Sequence, residues 1–176
     1  MTSQLTPIQL VQGDITQQTT DAIVNAANCR LSGGGGVDGA IHRFGGPTIK
    51  QETQRHYPQG CQTGSAVITT AGHLSTKYVI HAVGPIWTDG YHCEPELLRS
   101  AYRTSLVLAT THDCQSIAFP AISTGAYGYP LQPAAHIALE TCLNFKIRND
   151  VPLSIRFVLY NIGISKTFET ALAQCT

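Results

Sequence analysis

Short β-branched runs alternate with longer amphipathic stretches along nearly all of this chain, and that alternation is what most restricts the folds open to it. Residues 8–12, 22–26, 66–70, 78–82, 116–120 and 155–160 read as strands. Several are apolar at consecutive positions, as expected of a sheet covered on both faces. Residues 37–44, 47–57, 94–111, 133–147 and 165–174 read as helices. In 94–111, Leu97, Leu98, Ala101, Tyr102, Leu106 and Leu108 make a broad stripe at helical spacing. Pro47 and Pro133 fall where a first helical turn tolerates a missing N–H. The expected fold class is α/β, a three-layer α/β/α sandwich around a mixed, largely parallel sheet.

A chain of 176 residues, 43% of them hydrophobic, has material for one substantial core, so a single domain over residues 1–176 is expected. Eleven basic residues balance eleven acidic ones and like charges do not cluster. That leaves no electrostatic footprint for duplex nucleic acid or an anionic membrane, and favours a small ligand. The opening MTSQLTP lacks the basic and apolar blocks of a signal peptide. No apolar run approaches the ~20 residues of a membrane span. Cys29, Cys61, Cys93, Cys114, Cys142 and Cys175 are dispersed, without a C-x-x-C pair, and read as reduced thiols rather than a zinc site. A cytoplasmic monomer without a metal or cofactor is the expectation.

Two segments depart from ordinary loop composition. Val24-Asn25-Ala26-Ala27-Asn28 leaves a strand and runs through Gly33-Gly34-Gly35-Gly36 into a helix opening at Val37. Ile122-Ser123-Thr124-Gly125-Ala126-Tyr127-Gly128 follows the strand ending near Pro120 in the same way. In an open α/β sheet, ligands bind beyond the carboxyl ends of the strands, where both segments fall. A glycine-rich turn at a helix start offers unpaired N–H groups, and the missing Cβ atoms admit a phosphate. A flexible surface loop would explain one such cluster equally well. Two clusters after two strands suit a diphosphate held between them.

Familiar phosphate motifs do not fit. Gly34-x-Gly36-x-x-Gly39 satisfies the dinucleotide spacing, but Cys29 to Ser32 intervene after the strand and residues 53–64 hold no acidic residue for a ribose. No Gly-Lys-Ser/Thr follows the glycines, and Ser123 lies in Ala-Ile-Ser-Thr-Gly rather than G-x-S-x-G.

Gln12-Gly13-Asp14-Ile15-Thr16, Ile23 to Asn28, Gly33 to Arg43, His81-Ala82-Val83-Gly84-Pro85 and Phe119 to Pro130, in this order and spacing, resemble the macro domain family and within it the bacterial MacroD-type branch. The resemblance implies a pocket for ADP-ribose. Asp14 would accept a hydrogen bond from the adenine amino group and the N–H of Ile15 would bond a ring nitrogen. Asn25 would belong to the ligand site. The Gly33, Gly34, Gly35, Gly36, Val37 loop and the Ser123, Thr124, Gly125, Ala126, Tyr127 loop would hold the diphosphate through backbone N–H groups, with Tyr127 against the distal ribose. Tyr160 matches a position that stacks on adenine, although Asn161-Ile162-Gly163 departs from the more acidic segment of the family. Asn28 and Asp38 match the pair associated with hydrolysis: Asn28 bonding a ribose hydroxyl, Asp38 orienting or deprotonating a water. The base is either this carboxylate or the ligand's own phosphate. The implied reaction is water attack on an ester to the distal ribose, in an Asp/Glu-linked ADP-ribosyl protein or in O-acetyl-ADP-ribose. A reader that binds ADP-ribose without turnover is the alternative, and RNA binding lacks an aromatic-basic platform.

Several of these residues also have plainer readings. Asp38 suits any first helical turn, and Asp14 suits the N-cap of a short turn beginning at Ile15. His42, four residues after Asp38, shares its helix face and reads as a packed or capping residue rather than half of a dyad. His81 reads as a structural hydrogen-bonding residue. Cys29, beside only Arg30, does not read as a nucleophile. Of Tyr127 and Tyr129, at least one is expected to cover the pocket.

Overall fold

A computed structural model describes residues 7–175, so the expectation about a leader, which falls mainly on residues 1–6, lies outside the described residues. Six strands form a single sheet in the order β1-β6-β5-β2-β4-β3, with β1 Gln9–Gln12, β2 Ala22–Ala26, β3 Ala66–Thr70, β4 Tyr78–Ala82, β5 Ser116–Phe119 and β6 Ser154–Leu159. Every pairing is parallel except that of β3 with β4. The helices are α1 Gly36–Gly45, α2 Pro47–His56, α3 Glu94–Thr111, α4 Leu131–Asn149 and α5 Ile162–Cys175.

Strand parity divides the core into the two faces of a sandwich. Ala22, Val24, Ile80, Ala82, Ile117, Phe119, Ile155 and Phe157 pack with Leu98, Tyr102 and Leu106 of α3, Ala138 and Leu139 of α4 and Phe168 of α5. The alternate residues Ile23, Val79, Ala118 and Val158 pack with Ile41 of α1 and Ile49 of α2. At the centre of the larger face Phe157 lies 5.6 Å from Phe119 and 5.2 Å from Phe168, ring centre to ring centre. The same parity carries Asn25 and His81, which are register partners, to the α1 face one step beyond Ile23 and Val79.

Helix α3 has the bounds its apolar pattern predicts and α2 ends one residue earlier, while α1, α4 and α5 run longer. Leu131 opens α4 ahead of Pro133, which remains within its first turn. The Asn161 side chain accepts the N–H of Ile164 at 2.9 Å and starts α5 at Ile162 rather than Ser165. Among the described residues no helix is long and apolar enough to cross a membrane.

Candidate functional site

The loops leaving the carboxyl ends of β2, β5 and β6 surround a cleft of about 760 Å³. Its wall brings together Asp14, Ile15, Asn28, Gly34 to Asp38, Ser123 to Tyr127 and Tyr160. Of the residues expected there, Asn25 and Gly33 are not on the wall. Asn25 is completely buried behind it, and Gly33 contributes its carbonyl to the loop beneath.

Asn28 builds the first loop. Its Oδ1 accepts the N–H groups of Arg30 and Ser32 at 3.1 and 3.2 Å, and its Nδ2 donates to Gly33 O at 2.9 Å. The chain then turns through Gly33 and Gly36, whose φ values of +82° and +56° favour glycine. The first main-chain bond of α1 runs from Gly39 N to Gly35 O at 3.1 Å, so the N–H groups of Gly36, Val37 and Asp38 precede the helical ladder and border the cleft. A Cβ on Gly39 would stand 2.5 Å from Gly34 O, which explains how tightly the loop folds on its helix.

Residues far away in sequence brace the second loop. The buried Tyr102 hydroxyl accepts Ile122 N at 3.1 Å and faces Pro120 O at 3.3 Å. Tyr129 N returns to Ser123 O at 2.9 Å, and Trp87 N bonds Tyr127 O at 2.8 Å. Gly84, at the end of β4, allows Ser123 to approach, because a Cβ there would meet Ser123 Oγ at 2.2 Å. Tyr127 is half-buried on the cleft wall, where burial pushes its phenol up, while Tyr129 is buried with its ring 4.6 Å from that of Trp87. One of the two tyrosines thus covers the cleft and the other supports it.

Asp38 sits in the first turn of α1, only 6% exposed. Its Oδ1 accepts Asn25 Nδ2 at 2.7 Å and lies 3.3 Å from His42 Nε2. His42 therefore touches the carboxylate directly, a closer association than a merely packed or capping histidine. Oδ2 accepts no hydrogen bond from the described residues and faces Gly34, where a Cβ would stand 3.3 Å away. Behind Asn25, His81 Nδ1 lies 3.1 Å from the same Nδ2, and His81 Nε2 lies 3.0 Å from Thr69 Oγ1. Burial, reinforced by His42, pulls the His81 imidazole down to about 4, so it is neutral at pH 7.

At the far end of the cleft Asp14 Oδ1 accepts the N–H and hydroxyl of Thr16 at 2.8 and 2.7 Å, capping a short 3₁₀ turn, Ile15–Gln17. The cap occupies one carboxylate oxygen and leaves the other without a protein donor. Tyr160, 68% exposed, follows the adjacent strand at this same end, where Gly13 N bonds Leu159 O at 3.0 Å.

Among the described residues Asp89, His92 and Glu94 are the one group whose side chains approach metal-ligand spacing. Glu94 is already committed: it accepts the N–H groups of Thr88, Asp89, Gly90 and His92. Burial pushes its carboxyl up, but its own N–H and those of His92, Gly90 and Thr88 together outweigh burial and hold it at about 2. The group shapes the loop between Trp87 and α3.

Tyr102 and Thr69 support the site without belonging to its sequence motifs, and His81 and Gly84 support it from within one, the His81 to Pro85 segment, that was given no contact with the ligand. Tyr102 and Gly84 were visible only as a core aromatic and as part of the His81 to Pro85 segment; Thr69 carries no sequence signal.

The sequence pattern of the macro domain matches residues 24–138. An O-acetyl-ADP-ribose deacetylase of Salmonella newport is 53% identical over 176 residues, spanning 99% of this chain and 97% of the relative. The Oceanobacillus iheyensis macrodomain with ADP superimposes with a TM-score of 0.91 at 39% identity, covering 97% of this chain and 92% of that one. The Trypanosoma brucei macrodomain in complex with ADP-ribose gives 0.87 at 42% identity, with coverage of 94% and 68%. The matched pattern takes in both glycine loops and Asp38, and the superposition extends to the whole sheet: this chain belongs to the macro domain family.

Proposed function

We propose that the chain is an ADP-ribose-binding hydrolase acting on esters of the distal ribose, either the Asp/Glu linkage of a mono-ADP-ribosylated protein or O-acetyl-ADP-ribose. The observation that carries this reading is the asymmetry of Asp38. One carboxylate oxygen is held by Asn25 and His42, and the other is left facing the cleft beside a residue with no side chain. A carboxylate so oriented can accept a proton from water as the water attacks the ester, releasing the carboxylic acid and a ribose hydroxyl. Where the ligand's phosphate serves as base, the same oxygen orients the water.

The N–H groups at the start of α1 and along the Ser123 to Tyr127 loop suit the diphosphate. The free oxygen of Asp14 suits the adenine amino group, the N–H of Ile15 a ring nitrogen and the exposed Tyr160 ring the base plane. Asn28 spends one amide hydrogen on Gly33, and the other is available to a ribose hydroxyl. Relatives named O-acetyl-ADP-ribose deacetylase and relatives holding ADP or ADP-ribose support the same assignment. In this reading the chain acts as a single-domain monomer in the cytoplasm, a setting that suits its six free cysteines.

The test is release of free ADP-ribose from a glutamate-linked mono-ADP-ribosylated protein and of acetate from O-acetyl-ADP-ribose, for wild type and Asp38→Ala, with calorimetric binding of ADP-ribose to each. The expected result is turnover by wild type that falls by about 10²-fold or more in the variant while binding persists. Tight binding with no release from either ester would make the protein a reader.

A further inference from the structure

We propose that His81 is a positioning residue for Asp38, acting through Asn25, and that Thr69 fixes the histidine tautomer this requires; the inference rests on the hydrolase reading above. The argument is one of proton accounting. Asp38 can only accept, so the Asn25 amide must turn its Nδ2 toward it, at 2.7 Å. The same Nδ2 then faces His81 Nδ1 at 3.1 Å, and that nitrogen must carry a lone pair. The ring proton is therefore on Nε2, 3.0 Å from Thr69 Oγ1, which must accept it. The Thr69 hydroxyl can do so because its own proton goes to Thr70 O at 2.9 Å. Each hydrogen in the row has one acceptor, Asn25 giving one amide hydrogen to Asp38 and the other to His81, and within Asn25, His81 and Thr69 only Asn25 Oδ1 is left without a partner among the described residues.

Reversing any member sets like against like. An Asn25 amide turned over would place its oxygen against both the Asp38 carboxylate and the His81 lone pair. A His81 protonated on Nδ1 would point N–H at N–H. The row is also sealed: Asn25, His81 and Thr69 are 0%, 1% and 4% exposed, so water cannot stand in for a missing partner. Its members come from three adjacent strands, β2, β4 and β3, and lie on the α1 face of the sheet. The charged or titratable groups acting on His81 are Asp38 and His42 from α1 and Glu52 from α2. The His42 ring lies over it, inclined by 30°, with ring centres 6.3 Å apart. Neither Asn25 nor His81 nor Thr69 lines the cleft, so removing one should misdirect Asp38 without touching a bound ligand.

The experiment compares Thr69→Val, Thr69→Ser, His81→Leu and His81→Gln with wild type for ester hydrolysis, ADP-ribose affinity and, by ¹⁵N NMR, the protonation of the His81 ring. Thr69→Val keeps the side-chain volume but removes the acceptor. It is expected to lower kcat about fivefold or more, with KM and ADP-ribose affinity within about twofold of wild type. Thr69→Ser restores the hydroxyl and the rate. His81→Leu should lower kcat by about tenfold or more, and His81→Gln, whose amide can both accept from Asn25 and donate to Thr69, should recover part of it. The wild-type spectrum should show a proton on Nε2 and none on Nδ1 at neutral pH, a preference weakened in Thr69→Val. Should His81→Leu fail to fold, the threonine pair decides. A folded Thr69→Val with wild-type kcat, or a wild-type ring protonated on Nδ1, overturns the positioning role while the hydrolase reading stands. A wild type that turns over neither ester overturns that reading, and this role with it.

Discussion

Asn25 donates a 2.7 Å hydrogen bond to the Oδ1 of Asp38 from a position with no exposure to solvent, at the strand register where β2 meets His81 of β4. The bond is charge-assisted and sealed from water, so it fixes which carboxylate oxygen remains for the cleft. Asn25→Ala should lower kcat for ADP-ribose release by about 10–100-fold, the equivalent of losing one hydrogen bond to a charged group. Because Asn25 does not line the cleft, ADP-ribose affinity should stay within about threefold of wild type. Steady-state kinetics beside calorimetry separate the two effects, and an equal loss of both would mean that Asn25 reaches the ligand.

Two glycines near the site should fail in different ways when changed to alanine. At Gly34 a methyl group would stand 3.3 Å from Asp38 Oδ2, where the proposed mechanism puts the attacking water, and meet nothing closer. Gly34→Ala should keep wild-type stability to within about 1 kcal/mol and lose turnover. At Gly84 the methyl would meet Ser123 Oγ at 2.2 Å and Ile122 Cγ2 at 2.5 Å. Gly84→Ala should cost about 1–3 kcal/mol of stability and weaken ADP-ribose binding by displacing the Ser123 loop. Urea melts and calorimetry on both variants check the contrast.

The elements of this fold were legible because each declares itself within a few residues. Val24 to Asn28, the four glycines and Asp38 lie within one stretch of sequence, and strand-to-helix punctuation places them at the cleft. Asp14 shows its cap through Ile15 and Thr16 beside it. What stayed hidden depends on register between distant segments. The alternation Ile23, Asn25 places Asn25 on the α1 face, but nothing in the local sequence says that His81 becomes its partner or that Thr69 closes the row. Nor does a helical stripe reveal that Tyr102 reaches past its own core layer to hold Ile122. Asn161 was locally readable, a cap-type residue just ahead of Ile162 that starts α5.

Asp14 should set the preference for the base. Its Oδ1 is occupied by Thr16, so a ligand amino group must use the other oxygen. A hypoxanthine ring would present a carbonyl to that oxygen in place of the amine. In calorimetric titrations ADP should bind about tenfold or more tightly than inosine diphosphate, and Asp14→Asn, whose amide can be turned to donate, should narrow that gap. Asp14→Ala should weaken ADP and also lower the melting temperature by removing the cap. Equal affinity of the wild type for the two nucleotides would place the base away from Asp14.

His81 should also write a pH dependence into stability. In the unfolded chain its imidazole titrates near 6.5, and in the fold burial, with His42 adding to it, brings the value to about 4, against smaller opposing effects of Asp38 and Glu52. Between those values the unfolded state binds the proton and the native state does not, so stability falls as pH drops through that window. Above about pH 7 both states are neutral and the group contributes no slope; below about pH 4 both are protonated and the loss levels off. Integrated over the window, the loss amounts to about 3 kcal/mol by pH 4. Urea unfolding from pH 7.5 down to the acid limit, on wild type and His81→Gln, isolates this from the carboxylates, which titrate in both proteins. The variant should start less stable at neutral pH, and its curve should approach that of wild type on acidification. Parallel curves would mean that His81 takes up its proton as readily folded as unfolded, and that the buried row from Thr69 to Asp38 does not demand a neutral ring.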